Sequence, residues 1–516
     1  MKRVGLGTLA MLVACGGGGG GSDWLTFEPS SLDVTFFQSD PTTVTVIATS
    51  SRQLSGPIYV GVVDASGVLR GAAEFEQDGM QVETRLHLDP MLSEGVHTGS
   101  LQVRVCADDP VTCARPLGAV SKLPYRITVL QGIDLRELTP LAGAGPWRTL
   151  GGDGGHTGFV PATLDPARFS RRWSAAGWGS GIAAEGGRVF VVTDPYPDAW
   201  SVTAFSERDG GVDWSFQGVT NWGVSPPAVG HGRVYVATSG KLWAFDQASG
   251  EAAAQLPMSS NTNRIGPPEV FGDHVYSMSG DSDALSRFDG VALATSWSST
   301  APAWYDDAYT VLADDGYVYL HAGDQLDNRS DHLQVLDAAD GHEVFRIPDL
   351  ASDDPCMYGC WSEGEGPVRG GDGIVFNTLV RDYDSTSQLW RGRLQRFDVG
   401  NRVASWDKQG NYNSLPAVAG DTLCVVNGHN LDALDAASGA LRWSWPIPGA
   451  VTYFRQQVLV VGTHAFVTSP DAVHAIELAT REQVWSYPAT GKLAISENGI
   501  LYILTTRGLL VAVNLH

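Results

Sequence analysis

Positive charge is scarce in this sequence. Of 516 residues, 34 are Lys or Arg and 57 are Asp or Glu, and no run of basic residues occurs. A protein that binds the phosphate backbone of nucleic acids needs clustered Lys and Arg to displace counterions. The balance of 34 − 57 = −23 therefore excludes nucleic-acid binding as the main role.

The usual marks of a catalytic site are also missing. The 12 histidines show no metal-ligand spacing, and the sequence has no nucleophile elbow and no phosphate-binding loop. We therefore expect no catalytic residue and no metal site. The carboxylates of Asp306, Asp307, Glu363 and Glu365 are expected to be solvated, and His156 is expected to form structural hydrogen bonds.

No apolar run has the length of about 20 residues that a membrane-spanning helix needs. The chain instead starts with Lys2 and Arg3, a short apolar stretch and then Leu12-Val13-Ala14-Cys15, which is the arrangement of a secretory signal peptide. The last four residues resemble the lipobox of bacterial lipoproteins. That resemblance implies a signal peptide at 1–15, lipidation of Cys15 and, because Gly16 follows, anchoring to the outer membrane. An ordinary signal peptide cut nearby is the alternative.

Residues 16–23 follow as a glycine-rich segment that we interpret as a flexible tether. Several acyl chains on one cysteine hold a protein stably at a membrane, whereas a single chain does not. The expected location is therefore the outer membrane, through the lipid.

Cysteine usage agrees with export. Besides the lipobox cysteine the chain has five, and four of these form two closely spaced pairs. Close pairs form disulfides in an oxidising compartment, so we predict Cys106–Cys113 and Cys356–Cys360. The second pair also has a spacing that suits two metal ligands, but no His or further Cys lies close in sequence to complete a tetrahedral site. Cys424 is expected to be a buried free thiol.

The chain has 61 glycines, 27 prolines and 16 tryptophans, which favours short strands over helical bundles. From 24 to 130 there are six or seven alternating segments with turn residues between them, among them 32–37, 43–48 and 100–105. This pattern is typical of an immunoglobulin-like β-sandwich, although the Cys-Trp-Cys spacing of antibody domains is missing. Residues 131–146 are interpreted as a linker.

The remainder is a repeat array. A strand that begins Gly-x-Val, or a variant of it, occurs eight times, starting at residues 187, 232, 273, 316, 373, 421, 463 and 499. A second strand and a turn, often Asp-x-x-x-Gly, follow the repeated strand, and a closing aromatic residue is expected to pack between neighbouring sheets. One repeat has about the length of one four-stranded blade, so we predict an eight-bladed β-propeller at 147–516.

The last repeat ends at 511–516 without a closing strand. Upstream of the first repeat, Arg168–Trp173 has the character of such a strand. We predict that it completes the last blade, because a ring closed in this way leaves no open sheet edge. The predicted fold class is all-β, with an N-terminal immunoglobulin-like β-sandwich followed by an eight-bladed β-propeller closed by an upstream strand.

The repeats resemble those of PQQ-like, or quinoprotein, propellers, whose pattern Ala-x-Asp-x-x-Thr/Ser-Gly-x-x-x-Trp is matched at 433–443. The segment from Trp147 to Pro161 is similar to the lead-in of such propellers. The resemblance implies two classes of relative. One is the quinone-dependent dehydrogenases, which hold PQQ and Ca²⁺, and the other is the propeller lipoprotein of the outer-membrane β-barrel assembly machinery.

The dehydrogenases of this family use two adjacent cysteines beside the quinone, and this sequence has no Cys-Cys dipeptide. The resemblance therefore favours a non-catalytic propeller without a cofactor. A PQQ-dependent dehydrogenase and a carbohydrate-binding propeller remain the alternatives.

Aromatic residues recur in the loops that lie roughly 9–12 residues before the repeated strand. They are Trp178, Trp222, Trp304, Tyr305, Trp361, Tyr412 and Tyr453. Loops at equivalent positions of a repeat converge on one face of a propeller, and Trp and Tyr offer rigid amphipathic contact area. We predict that these residues bind an envelope protein or peptide. The alternative is that they plug the channel or brace adjacent blades.

Overall fold

The computed structural model divides the chain into two compact units, Met1–Ile133 and Asp134–His516. The residues that it describes are 3–8, 24–38, 42–52, 58–78, 80–130, 132–193, 199–220, 223–258, 265–279, 284–300, 310–324, 327–350, 366–371, 373–384, 389–412, 414–449 and 457–516. Within these ranges, no helix has the length and hydropathy that a membrane crossing requires.

The first unit is built from strands alone over its described residues. They are β1 (Arg3–Thr8), β2 (Leu25–Glu28), β3 (Leu32–Phe37), β4 (Thr42–Ser50), β5 (Tyr59–Asp64), β6 (Glu74–Asp78), β7 (Gln81–Leu88), β8 (Gly95–Cys106) and β9 (Ser121–Leu130). One sheet has the order β1-β5-β8-β9-β3 and the other the order β2-β4-β7-β6.

Side chains from both sheets share one core. Val46 and Leu86 come from the four-stranded sheet, and Leu101 and Ile127 from the five-stranded sheet. Alternate residues of a strand point to opposite faces, which is why the alternating pattern in the sequence identified these segments. Assignment of this two-sheet unit to the immunoglobulin-like class stays a prediction.

The disulfide between Cys106 and Cys113 is present, with its Cα atoms 5.5 Å apart. Asp109 shapes the loop that it closes. The amide of Cys113 donates to the Asp109 carbonyl at 2.7 Å, and the amide of Val111 donates to the Asp109 carboxylate at 2.8 Å. The loop is therefore fixed by a covalent bond and by hydrogen bonds.

Cys424 is a buried free thiol, as predicted, and burial raises its pKa to about 12. Cys356 and Cys360 lie outside the described residues, and so does Cys15. The second disulfide and the lipid anchor thus stay predictions.

The described residues of the second unit form eight sheets, which we number in chain order. Before them come β10 (Phe159–Val160), a 3-10 turn (Pro166–Arg168) and β11 (Ser170–Ala176). Sheets 1 to 4 comprise β12 (Ile182–Glu185), β13 (Arg188–Thr193), β14 (Ala199–Ser206) and β15 (Val212–Thr220); β16 (Ala228–Gly230), β17 (Arg233–Thr238), β18 (Lys241–Asp246) and β19 (Ala252–Pro257); β20 (Glu269–Phe271), β21 (His274–Ser279), β22 (Ala284–Asp289) and β23 (Ala294–Thr300); and β24 (Leu312–Ala313), β25 (Tyr317–Asp324), β26 (Asp327–Asp337) and β27 (Glu343–Pro348).

Sheets 5 to 8 continue the same pattern of four strands. They comprise β28 (Val368–Gly371), β29 (Ile374–Asp384), β30 (Leu389–Asp398) and β31 (Val403–Gly410); β32 (Ala417–Ala419), β33 (Thr422–Asn427), β34 (Asn430–Asp435) and β35 (Leu441–Pro446); β36 (Val458–Val461), β37 (His464–Thr468), β38 (Val473–Glu477) and β39 (Gln483–Tyr487); and β40 (Gly491–Ile495), β41 (Ile500–Thr505) and β42 (Leu509–Asn514). Strand β10 adds to sheet 7 and β11 completes sheet 8.

The first strands of consecutive sheets lie side by side. Strand β12 contacts β16, β16 contacts β20, and β20 contacts β24; further along the chain, β28 contacts β32 and β32 contacts β36. Strand β40 of sheet 8 contacts β12 of sheet 1. These contacts connect sheets 1 to 4 with one another, sheets 5 to 7 with one another, and sheet 8 with sheet 1.

Strand β11 pairs antiparallel with β42, from Ser170 opposite Asn514 to Ala176 opposite Leu509. This confirms that an early strand completes the last sheet. The predicted bounds, Arg168–Trp173, are wrong by two or three residues. The reason is local, because Asp165 accepts a hydrogen bond from the amide of Ala167 and starts a 3-10 turn that takes up Arg168.

Buried polar contacts also join sheet 8 to sheet 1. The guanidinium of Arg172 donates to the carbonyl of Glu207 at 2.9 Å and to Asn514 Oδ1 at 3.1 Å. The Glu207 carboxylate accepts from Ser496 and, at 3.0 Å, from Asn498. Burial raises the pKa of Glu207, and the hydrogen bonds oppose that rise. The contact between sheets 8 and 1 therefore includes buried polar hydrogen bonds in addition to the strand pairing that completes sheet 8.

The segment that the sequence assigned to a linker, 131–146, lies mostly within the second unit, which begins at Asp134. The amide of Asp134 donates to the carbonyl of Arg171 at 2.8 Å, and the amide of Leu141 donates to the carbonyl of Glu497 at 2.9 Å. The segment is thus hydrogen-bonded to residues of the second unit.

Closing tryptophans pack across sheet boundaries. Each indole NH donates to a carbonyl in a turn of the next sheet, in the pairs Trp173–Glu207 (2.9 Å), Trp214–Gln247 (3.0 Å), Trp297–Ala338 (3.1 Å) and Trp406–Ala436 (3.3 Å). The Trp214 ring lies against Gly250, where a Cβ would come within 2.5 Å of it and where φ is +74°. Glycine is required in that turn by both constraints.

We expect Trp214→Ala to lower the free energy of unfolding by about 3–5 kcal/mol, because it empties a packed site and leaves the Gln247 carbonyl without its donor. Thermal and urea unfolding followed by circular dichroism would measure the change. Trp178→Ala is the matched control, since Trp178 is 49 % exposed and its loss should change stability by less than about 0.5 kcal/mol. Equal effects of the two substitutions would contradict this account.

Candidate functional site

Residues 147–160, which we call the crossing segment, run across the first strands of several sheets. Backbone hydrogen bonds of 2.8 Å join Trp147 to Ala184 in sheet 1, Arg148 to Val229 in sheet 2, Gly155 to Arg369 in sheet 5, Thr157 to Val418 in sheet 6 and Gly158 to Val460 in sheet 7. The crossing segment thus connects the first strands of five sheets through backbone hydrogen bonds.

His156 is the polar anchor of the crossing segment. Its Nε2 lies 2.6 Å from Glu269 Oε2 in β20, and its Nδ1 lies 3.0 Å from the Pro367 carbonyl just before β28. Both side chains of the pair are buried, at 0 % and 1 % exposure. The hydrogen-bonding role expected for His156 is therefore observed, and it links sheet 3 to sheet 5.

One proton is shared in this pair. The Pro367 carbonyl can only accept, so Nδ1 of His156 carries a hydrogen. Burial lowers the pKa of His156, but the attraction of Glu269 and the hydrogen bond to it raise that pKa by more, so the net direction is upward. Burial also raises the pKa of Glu269, against the opposing effect of His156. The folded pair thus keeps its proton to a higher pH than free imidazole does.

A cavity of about 250 Å³ lies between sheets 4 and 5. Its lining includes Arg369, Tyr319 and Asp314. The guanidinium of Arg369 donates to the Ala313 carbonyl, and the Tyr319 hydroxyl donates to Asp314 at 2.6 Å. Arg369 and Tyr319 are therefore already hydrogen-bonded to neighbouring residues of the protein, as in a structural turn.

Trp178 is the exposed tryptophan of the second unit. It is 49 % exposed, whereas the other tryptophans whose burial the structure describes are buried or half-buried. It lies in the loop Gly177–Gly181, between β11 of sheet 8 and β12 of sheet 1. We call this loop the Trp178 rim.

The Trp178 rim is braced by three sheets. The amide of Gly177 donates to Gly508 at 3.0 Å in sheet 8, and the amide of Ser180 donates to Val192 at 3.0 Å in sheet 1. A Cβ at Gly179 would lie 2.3 Å from the Val192 carbonyl oxygen, and one at Gly181 would lie 2.6 Å from Pro226, just before sheet 2. The backbone is thus held closely on both sides of an indole that faces solvent.

Tyr412 requires a correction, because the structure buries it completely. Its ring packs with Leu394 and Leu415 in the core of sheets 5 and 6. Space for the ring exists because Gly410, directly before it, has no side chain, and a Cβ there would come within 2.7 Å of the ring. Tyr412 therefore braces adjacent sheets and offers no surface to a partner.

The other predicted binding residues, Trp222, Trp304, Tyr305, Trp361 and Tyr453, lie outside the described residues. The acidic residues Asp306, Asp307, Glu363 and Glu365 lie there too. Their roles stay predictions.

The crossing segment is hydrogen-bonded to the first strands of five sheets, and the described cysteine of this unit, Cys424, is buried in β33. Among the described residues, the grouping with metal-ligand spacing is Cys106, Asp108 and Cys113, and its two thiols are joined in the disulfide.

Sequence reasoning found the crossing segment as a lead-in but missed its contacts. Glu269 and Pro367 are 113 and 211 residues from His156, so no local pattern reveals them. The available signal was compositional, since a segment rich in Gly with one His and two Thr residues suits close packing of backbone against backbone.

A family model described as outer membrane protein assembly factor BamB matches residues 156–260, 258–487 and 377–516. No curated protein matches the chain significantly. The crystal structure of BamB from Moraxella catarrhalis is similar, with 17% sequence identity, a TM-score of 0.51, and coverage of 67% of this chain and 99% of that chain.

Two redox enzymes are also similar in structure. A europium-containing methanol dehydrogenase shows 12% identity, a TM-score of 0.48, and coverage of 69% of this chain and 89% of that chain. The quinohemoprotein alcohol dehydrogenase from Comamonas testosteroni shows 14% identity, a TM-score of 0.39, and coverage of 69% and 83%. At the identity of the BamB structure the likeness concerns the fold, which is a β-propeller.

The free energy of unfolding should fall as the pH rises above about 6.5, the ordinary pKa of a histidine side chain, because the folded pair then holds a proton that the unfolded chain has released. Glu269→Gln should flatten this dependence, since the amide can donate to a neutral His156. Urea unfolding between pH 6 and pH 9 would measure the difference between the two proteins. Parallel curves would show that the pair does not hold the proton.

Proposed function

Because the chain belongs to the PQQ-like propeller family described as outer membrane protein assembly factor BamB, we propose that it is a non-catalytic binding platform for a protein or peptide of the cell envelope. The platform is the Trp178 rim of the second unit. The propeller supplies a rigid frame, and the loops on that frame supply recognition.

The observation that carries this proposal is the combination of exposure and rigidity at Trp178. Its indole is 49 % exposed, while the loop on either side of it is hydrogen-bonded to sheets 8 and 1. Binding usually costs free energy because side chains and loops become ordered at the interface. A loop that is already held avoids much of that cost, and tryptophan is among the residues most enriched at binding hot spots.

The architecture proposed for this platform is a ring of eight blades. This architecture is supported by the eight sheets in chain order, by the contact between β40 and β12, and by the pairing of β11 with β42. An immunoglobulin-like sandwich at 24–130 and a lipid on Cys15 complete the proposal, with the protein anchored to the outer membrane.

The arrangement at the centre of the propeller favours binding at the surface over activity as a quinone-dependent dehydrogenase. A quinone enzyme needs a place at the centre for its cofactor, which carries the redox chemistry. Here the crossing segment is hydrogen-bonded to the surrounding strands, and His156 and Glu269 are fully buried beside it. The surface that remains for recognition is the rim.

We expect Trp178→Ala to weaken capture of the partner at least tenfold, which is about 1.4 kcal/mol, without changing the unfolding temperature. The measurement is quantitative mass spectrometry of envelope proteins cross-linked to the lipidated full-length protein in cells. Val219→Ala is the matched control, because Val219 is an exposed apolar residue, 77 % exposed, on the outer strand of sheet 1.

Unchanged capture with Trp178→Ala, or an equal loss with Val219→Ala, would refute the proposed platform. If glycans quench the fluorescence of Trp178 and envelope proteins do not, the carbohydrate-binding alternative is favoured.

Addition of PQQ and Ca²⁺ to the purified protein should produce neither bound quinone absorbance nor dye-linked alcohol oxidation. The reason is that the crossing segment and not a cofactor occupies the centre. Bound quinone at one equivalent per chain, retained through gel filtration, would overturn the non-catalytic assignment.

A further inference from the structure

The free edge of the five-stranded sheet in the first unit is covered by the chain's own N-terminus. Strand β1 pairs antiparallel with β5 over six consecutive positions, from Arg3 opposite Asp64 to Thr8 opposite Tyr59. On its other side, β5 pairs with β8. Strand β5 is thus an edge strand whenever β1 is absent.

This edge differs from the other three edges of the two sheets. Sheet edges are usually protected by charged residues or proline, which hinder pairing with a further strand. Strand β2 ends in Glu28 followed by Pro29, β3 contains Asp33, and β6 has the acidic sequence Glu-Phe-Glu-Gln-Asp. In β5 the single charged residue is Asp64, the last of the strand, and the five residues before it are Tyr-Val-Gly-Val-Val.

The β5 edge is held in shape by its neighbours. Pro110, in the loop closed by the Cys106–Cys113 disulfide, lies over Gly61, where a Cβ would come within 2.8 Å of it. At the end of the strand, the Asp64 carboxylate accepts hydrogen bonds of 2.8 to 2.9 Å from three backbone amides of the following turn. A strand fixed at both places needs little ordering before another strand pairs with it.

We propose that the β5 edge is a strand-acceptor site. Removal of residues 1–15 uncovers Tyr59–Asp64, which then binds an extended segment of about six small and apolar residues from a protein partner. The segment runs antiparallel to β5, as β1 does, and main-chain hydrogen bonds supply the affinity. This site is independent of the Trp178 rim, and it rests on removal of the leader.

Among the residues whose burial is described, the hydrophobic clusters of the first unit include Trp24, residues of both sheets and residues of the loops between them. The chain from 16 to 516 contains all of these residues. The chain 16–516 lacks β1, whereas the chain 1–516 has β1 paired with the β5 edge. The two chains therefore form a matched pair for the test.

The test uses a fluorescent peptide of residues 2–9, Lys-Arg-Val-Gly-Leu-Gly-Thr-Leu. Fluorescence anisotropy should show saturable binding to the chain 16–516 and at least tenfold weaker binding to the chain 1–516. The same peptide with Leu6→Pro should bind at least tenfold more weakly, because proline has no NH to donate and disrupts a paired strand.

The position of the bound peptide on β5 is tested by disulfide cross-linking. A peptide with Thr8→Cys should form a disulfide with the Tyr59→Cys variant of the chain 16–516, since residues 8 and 59 are opposite each other. The Thr35→Cys variant is the matched control, because Thr35 is exposed on the other edge strand of the same sheet. It should cross-link at least tenfold less.

Absence of binding, equal binding of the Leu6→Pro peptide, or equal cross-linking at Thr35→Cys would each overturn the strand-acceptor site. Removal of the leader is tested separately, by the N-terminal mass of the protein recovered from the cell envelope. A retained leader would show that the edge is filled in the cell, and partner binding at β5 would then be refuted even if the peptide binds in vitro.

Discussion

The second unit depends on the pairing of β11 with β42. This pairing joins residues near the start of the unit to the last strand, β42, and gives sheet 8 the four strands that the other sheets have. Arg172 and Glu207 strengthen the same boundary with buried hydrogen bonds to Asn514, Ser496 and Asn498. The tryptophans at other boundaries repeat one simpler contact, an indole NH donating to a carbonyl of the next sheet.

Closure also determines where recognition can take place. The chain crosses the centre before it forms β11, so the segment that closes the ring and the segment that occupies the centre are neighbours in sequence. His156 and Glu269 pin that crossing where no water can replace their hydrogen bonds. The Trp178 rim follows the closing strand β11 directly. The braced position of Trp178 is therefore a consequence of how the ring closes.

The two units handle sheet edges in different ways, and this difference has functional meaning. In the second unit an upstream strand, β11, completes the last sheet. The first unit protects three edges with Glu28 and Pro29, with Asp33 and with the acidic β6, and it covers the fourth with β1. An apolar edge that depends on a removable segment is a site for another strand, whereas charged edges repel one.

The sequence by itself determined the all-β class, the repeat of the second unit, the closing strand and the Cys106–Cys113 disulfide, because each of these follows from local alternation, spacing or turn chemistry. It was wrong about Tyr412, since nothing in the residues near it distinguishes a rim aromatic from one that packs over Gly410. It also placed residues 134–146 in a linker, although Asp134 and Leu141 bond to the second unit. Only the tertiary structure decided the His156–Glu269 pair, the bracing of Trp178 and the strand on β5. The physical reason is that those contacts join residues far apart in sequence, where neither periodicity nor composition carries information about which partner is met.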